Sequence, residues 1–173
     1  MNFLITGFPG VGKSTIAGEL KRLGHIAYDP EEMPGLMHTV SRQTGEHIKA
    51  PANVPAGWYD NVGAYNWNPI KIEKLLSSPG DIFICSKAHN QAEFYDRFQL
   101  IFVLVLNSAE LVERLKSRPG RTIGKTESEL SDILALRGRF EQSLLKHGAV
   151  KLDAGRALQE IVDEILVRAS KRK

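Results

Sequence analysis

A chain of 173 residues, 42% hydrophobic and 25% charged, has the length of one domain and the composition of an ordinary soluble protein. Its net charge of +3 and pI of about 9.0 suit anionic ligands, from nucleotides and phosphorylated metabolites to nucleic acid. The single cysteine, Cys85, excludes an internal disulfide and a cysteine zinc cluster, and no apolar run reaches the roughly 18–20 residues of a membrane span; no signal peptide is visible, and a cytoplasmic location is expected.

Asn2 to Thr6 is a short apolar run that predicts a buried strand. It leads into GFPGVGKS, Gly7 to Ser14. Ile16, Ala17, Leu20 and Leu23 then recur at helical spacing, predicting a helix over Lys13–Leu23 that Gly24 stops. His25–Tyr28 reads as a second strand, ending at Asp29-Pro30. Residues 31–68 are rich in Pro, Gly, Asn, His and aromatics; irregular chain of that length is uncommon unless it has a task. A short helix is expected near Met33–Thr44, followed by an irregular stretch holding Trp58, Tyr59, Tyr65 and Trp67.

Pro69–Ser77 predicts a helix with proline in its first turn. Asp81–Cys85 is a third strand and His89–Phe98 a helix. Leu100–Leu106, the most apolar run, is a central buried strand. Ser108–Ser117 is a helix with Ser108 as N-cap. A polar loop over residues 118–126, a helix over residues 127–147, a strand over Ala149–Asp153 and a helix over Ala157–Ala169 complete the chain.

Five strands alternating with helices predict an α/β fold, a parallel sheet covered on both faces. Ligands of such sheets lie beyond the carboxyl ends of the strands. The sequence places GFPGVGKS, Asp29, the Ser86–Asn90 run, Asn107 and Asp153 at those five ends.

GFPGVGKS fits the phosphate loop G-x-x-x-x-G-K-[ST]. Glycines let the backbone curl its N–H groups toward phosphate oxygens, and the following helix adds its positive end. The candidate cradle is Gly7, Pro9, Gly10, Val11, Gly12, Lys13, Ser14 and Thr15. Lys13 is placed to reach the β- and γ-phosphates and the Ser14 hydroxyl to ligate magnesium.

The phosphate loop, AYDPEEMPGL, the Trp-rich middle, FICSKAHNQAEFYDRF and ERLKSRPGRTIGK together resemble, over nearly the whole chain, the small P-loop kinases of nucleoside monophosphates and metabolites. Adenylate, shikimate and gluconate kinases are the reference points; more narrowly, the chain is similar to bacterial adenylate-kinase-like ATP-binding proteins. The resemblance implies a P-loop NTPase three-layer α/β/α sandwich, with a five-stranded parallel sheet of order 2-3-1-4-5. It also implies a substrate-binding insert at about residues 31–68 and a mobile lid at about 118–126.

It implies roles as well. Arg114 would stack on adenine and Arg118 contact phosphates, neutralising charge in phosphoryl transfer. Arg121 lies in the same basic loop, and Arg137 would face the phosphates from the next helix. Asp153, Ala154 and Gly155 would pass over the adenine of ATP. Neither strand three nor strand four ends in an acid, a departure from the usual magnesium-holding pattern. Asp29 is the substitute, as metal organiser, general base or substrate clamp; Ser86 could help to hold a metal-bound water. The acceptor is expected to meet His38, Arg42, Trp58 or Trp67, although aromatics of this kind also build small cores.

The leading expectation is an ATP- and magnesium-dependent kinase of a small-molecule acceptor, with Lys13, Asp29 and Arg118 as its catalytic residues, working as a monomer or homodimer. A nucleotide-binding regulator or assembly ATPase is the second reading. An RNA-associated ATPase or polynucleotide-end kinase ranks last, because the charge is only +3.

Overall fold

The computed structural model describes residues 1–51, 55, 57–117 and 127–172, and only the backbone of residues 60, 128, 129 and 132. Arg118, Arg121 and the whole expected lid at 118–126 lie outside the described residues.

In chain order the elements are β1 (Asn2–Gly7), α1 (Lys13–Arg22), β2 (Ile26–Tyr28), β3 (Met37–Ser41), α2 (Trp58–Asn61), β4 (Gly63–Trp67) and α3 (Pro69–Leu76). These are followed by β5 (Ile82–Cys85), β6 (Leu100–Val105), α4 (Ser108–Ser117), α5 (Glu127–Lys146), β7 (Val150–Asp153) and α6 (Leu158–Ser170). Short 3₁₀ helices cover Pro30–Glu32 and Gln91–Arg97.

Five strands form one parallel sheet in the order β2-β5-β1-β6-β7. Counting only these five, that is the expected order 2-3-1-4-5. Strand alternation divides the core between the two faces. Phe3 and Ile5 of β1 join Phe83, Phe102, Leu104 and the apolar stripes of α1, α4 and α6 on one face. Leu4 joins Ile82, Ile84, Ile101 and Val103 on the other, with Ile72 and Leu76 of α3.

The insert is a second, antiparallel sheet. β3 pairs with β4 from Met37↔Trp67 to Ser41↔Gly63, and Val40 also bridges to His47. The helix expected near Met33–Thr44 is therefore corrected to a strand. HTV supplies the β-branched residues that a pleated, half-buried surface favours, and its partner, GAYNW, lies more than twenty residues downstream.

Two smaller corrections concern helix ends. The helix expected over His89–Phe98 is the 3₁₀ segment Gln91–Arg97. The cap of α4 is Asn107, whose Oδ1 accepts the Glu110 N–H at 2.9 Å, rather than Ser108.

Candidate functional site

β1 delivers the phosphate loop to the sheet's carboxyl edge. Its glycines are required for different reasons. A Cβ on Gly7 would sit 2.8 Å from Val11 Cγ2 and 2.9 Å from the Leu104 carbonyl oxygen, so the turn closes against β6 only without a side chain. Gly10 and Gly12 have φ of 94° and 100°, the left-handed region. A Cβ on Gly10 would lie 3.1 Å from Leu111 and 3.2 Å from Leu115, so the loop rests on α4.

Val11 and Phe8 are buried, which turns their side chains into anchors and leaves the loop's backbone at the surface. α1 then starts at Lys13 behind Gly12, with no side-chain cap. The first-turn N–H groups of a helix lack intrahelical acceptors and make an anion site. Lys13 Nζ folds over the loop, donating to the carbonyls of Gly7 at 2.9 Å and Phe8 at 3.2 Å. Ser14 and Thr15 are exposed in that first turn.

Asp29 lies at the tip of β2, 4% exposed, with Oδ1 accepting the Glu31 N–H at 3.0 Å. It shares the edge with the loop. The Cys85 thiol, at the tip of β5, is pushed up first by burial and then by the Asp29 carboxylate, while the Lys13 and Lys21 ammoniums act the other way. Both Asp29 and Lys13 thus lie within electrostatic reach of Cys85. A thiol so buried and so raised is inert.

On the other side of the loop, Arg114 Nη2 donates to the Ala154 carbonyl at 3.3 Å. Asp153 Oδ1 accepts the Gly155 N–H at 2.9 Å, shaping the turn after β7. Arg114 therefore meets the turn at Asp153–Gly155. α4 brings them near the phosphate loop, since Leu111 and Leu115 of the same helix touch Gly10.

Four expected site residues have structural employment instead. Trp67 is fully buried, 5.7 Å from Phe94 and 6.3 Å from Phe98 between ring centroids, with its indole N–H donating to Ser86 Oγ at 3.2 Å. Neither Trp67 nor Ser86 has any exposed surface for a substrate. Arg137 Nη1 donates to the Leu106 carbonyl at 2.9 Å and Nη2 to Ser108 Oγ at 3.0 Å, and Nε lies 3.5 Å from Glu141. Its guanidinium clamps the exit of β6 to α5 rather than a phosphate. Trp58 covers Gly63, where a Cβ would clash with Cζ3 and Cη2 of the indole, and packs edge-on to Tyr59.

Three residues after β5, of which the sequence places His89 and Asn90 at the expected ligand edge without assigning them a role, dock the insert. His89 N–H donates to the Tyr65 carbonyl at 3.0 Å, and His89 Nδ1 accepts the Tyr65 N–H at 2.9 Å. Asn90 accepts the Trp67 N–H at 2.9 Å and donates to its carbonyl at 3.1 Å, continuing the sheet with a side-chain amide. Gln91 accepts the Thr6 hydroxyl at 3.1 Å and the Ala88 N–H at 3.2 Å, and donates to Tyr95 OH at 2.9 Å. Gln91 thereby fixes the end of β1 to the loop that holds the hairpin. The only sequence signal was their place in SKAHNQ directly after a strand.

Docking opens a cleft of about 260 Å³ between the hairpin and the Gln91–Arg97 turn. Arg42 and His89 line it. Arg42 Nε donates to the Tyr59 carbonyl at 2.9 Å. His38 lies on the same hairpin, its ring stacked on His47 with centroids 4.2 Å apart and its pKa lowered by burial and by the His47 charge.

The AAA domain family matches residues 4–135. The chain belongs to that family. No curated protein matches the sequence. Among solved structures, a shikimate kinase from Acinetobacter baumannii in complex with shikimate superposes with a TM-score of 0.59 at 16% identity, over 99% of this chain and 94% of that one. A deoxyadenosine kinase from M. mycoides with bound products reaches 0.56 at 16%, covering 100% of both chains. A gluconokinase from Sinorhizobium meliloti reaches 0.53 at 20%, over 98% and 91%. At these identities the likeness is one of fold: this AAA-family chain has the P-loop fold that small kinases share.

Among the described residues no helix is long and apolar enough to cross a membrane, and no cluster of three or more His, Cys, Asp or Glu could hold a metal. The donor set at the sheet edge fits a magnesium ion carried by a nucleotide better than a protein-caged ion: one hydroxyl, Ser14, one carboxylate, Asp29, and an anion cradle between them.

Proposed function

We propose that the chain is an ATP- and magnesium-dependent phosphotransferase acting on a small hydroxylated acceptor. The observation that carries this reading is the shared edge: a phosphate cradle at Gly7–Gly12, built on three glycines with Phe8 and Val11 turned into the core, and a buried carboxylate, Asp29, flank the β5 tip. The insert stands over that tip. A hydrolytic switch needs no such insert. Supporting it, the fold is the one that shikimate, gluconate and deoxyadenosine kinases use.

Phosphoryl transfer asks for positioning and charge neutralisation. The loop amides and Lys13 would hold the β- and γ-phosphates, and Arg114 with the Asp153–Gly155 turn would hold the adenine. Ser14 and Asp29 would hold the magnesium, which supplies charge neutralisation between the phosphates. Asp29 would orient the acceptor hydroxyl and receive its proton as the acceptor oxygen bonds to the γ-phosphorus and the bond to the β-phosphate oxygen breaks. Arg118, which follows α4 in sequence, would meet the migrating charge.

Incubation with ATP and a panel of nucleosides, nucleotides and sugar acids tests the proposal. Transfer to at least one acceptor is expected, and Lys13→Ala should reduce it by two orders of magnitude or more. Intact ATP binding with transfer to none of them, or hydrolysis that depends on a protein partner instead, would overturn it.

A further inference from the structure

The cleft between the hairpin and the Gln91–Arg97 turn has a composition that the phosphate chemistry does not use. Its floor is Val40 and Ala64, side by side across the β3–β4 pair. Its polar groups are Ser41, Arg42, Asn66, His89, Asn90 and Glu93; the Asn90 amide is taken by the Trp67 backbone and Arg42 Nε by the Tyr59 carbonyl. Asn66 Oδ1 is buried and has no hydrogen-bond partner. A buried acceptor left unpaired costs free energy, so its retention calls for an occupant that donates to it. Glu93 carries a carboxylate, which when ionised only accepts.

His89 offers the opposite polarity. Its Nδ1 lies 2.9 Å from the Tyr65 nitrogen and 3.2 Å from the Tyr65 carbonyl oxygen; in the tautomer that accepts the shorter contact, the proton of the neutral ring sits on Nε2, the nitrogen that faces away from Tyr65. Burial, and after it the Lys87 ammonium, depress its pKa to about 4, so the ring is neutral at physiological pH.

We infer that this cleft is the base subsite of a nucleoside acceptor and selects bases carrying an exocyclic amino group. This rests on the kinase reading above and names the acceptor class for it. A planar heterocycle lays an apolar face on Val40 and Ala64. An amino group has two N–H donors, one for Asn66 Oδ1 and one for the Glu93 carboxylate, while the adjacent ring nitrogen accepts from His89 Nε2. Adenine and cytosine present this edge. Uracil and thymine place a carbonyl lone pair where the amino group belongs, against two acceptors, and a polyol lacks the flat face.

Binding of adenosine, cytidine, uridine and gluconate to the full chain, by calorimetry with and without a non-hydrolysable ATP analogue, tests the inference separately from catalysis. Adenosine or cytidine should bind at least tenfold more tightly than uridine, with no binding of gluconate. Asn66→Leu should abolish nucleoside binding. Glu93→Gln, at an exposed position that leaves folding intact, should narrow the preference over uridine several-fold. Equal binding of uridine, or a preference unmoved in Glu93→Gln, would overturn the subsite. Transfer to gluconate with unchanged kcat/KM in both variants would overturn it while leaving the kinase reading standing. Selective nucleoside binding without any transfer would uphold the subsite and sink the kinase.

Discussion

At the scale of single residues, the site depends as much on absent atoms as on present ones. Gly7 and Gly18 show the contrast. A Cβ at Gly7 meets Val11 and the Leu104 carbonyl below 3 Å, and backbone cannot step aside. Gly7→Ala should therefore cost roughly 1–3 kcal/mol of stability and weaken ATP binding at least tenfold, read by chemical denaturation and calorimetry. Gly18, exposed in α1 with nothing within 4 Å of its added Cβ, should do the reverse. Gly18→Ala should stabilise by about 0.5–1 kcal/mol, because alanine loses less backbone entropy in a helix, and leave ATP affinity alone. Equal ATP affinity in both variants would mean that the closure of the turn on β6 is not what shapes the cradle. The motif made Gly7 legible as part of the loop. It did not show that β6 is the reason, since Leu104 is nearly a hundred residues away in sequence.

At the scale of elements, the insert is held by backbone pairing to polar side chains, and that makes it sensitive to acid. The His89 ring accepts a backbone N–H at Nδ1, which only the neutral form does. Its pKa is lowered to about 4, first by burial. Unfolded, the ring titrates near the ordinary value of about 6.5. Between those values the unfolded chain binds the extra proton, so stability is full above about pH 6.5 and falls as pH drops toward 4. The buried fraction of the shift corresponds to on the order of 2–3 kcal/mol. His38, shifted down by burial and by His47, acts in the same direction. Both tryptophans of the chain, Trp58 and Trp67, lie in the insert, so their emission reports this element together with the core that Trp67 enters. Stability followed by that emission should decline from pH 6.5 to 4.5 in the native chain and decline less in His89→Gln, which has no proton to gain; an identical decline would remove His89 as the cause.

The insert was also the least legible part of the sequence. Single strands such as β5 and β6 are continuous apolar runs whose burial on both faces is visible locally. The β3–β4 hairpin depends on Thr39 facing Tyr65 across a long connection, and its dock on Asn90 and His89 depends on backbone groups, which no side-chain pattern reports. The same holds for Ser86 and Arg137. A polar residue after a strand reads as a site residue until its partner is seen, and here the partners are the Trp67 indole and the Leu106 carbonyl.

At the scale of the whole molecule, the two cores lie on opposite faces of the sheet, with Phe140 of α5 packed against both, and Trp67 decides how the insert belongs to them. It is the largest fully buried side chain, yet it comes from the hairpin. It packs on Phe94 and Phe98 beside Ile72, Ile84 and Val103, so the insert's last strand contributes to the main core rather than hanging from it. Gln91 completes the link from the hairpin's dock to Thr6 at the mouth of the phosphate loop. The insert and the nucleotide half should therefore unfold together. Melting followed by tryptophan emission and by far-ultraviolet dichroism should give one coincident transition. Trp67→Ala, which removes a large buried side chain, should cost about 3–5 kcal/mol and lower that common Tm by roughly 6–20 °C. Trp58 still reports the insert in this variant. Saturating ATP, at a hundred times its Kd, should raise the Tm of the native chain through about 2.7 kcal/mol of binding linkage, and the Trp58 signal should move with it although Trp58 lies outside the nucleotide site. A Trp58 transition that precedes the dichroism change, or that ignores ATP, would show the hairpin to be an independent unit, and the packing of Trp67 would then not couple the acceptor half to the donor half.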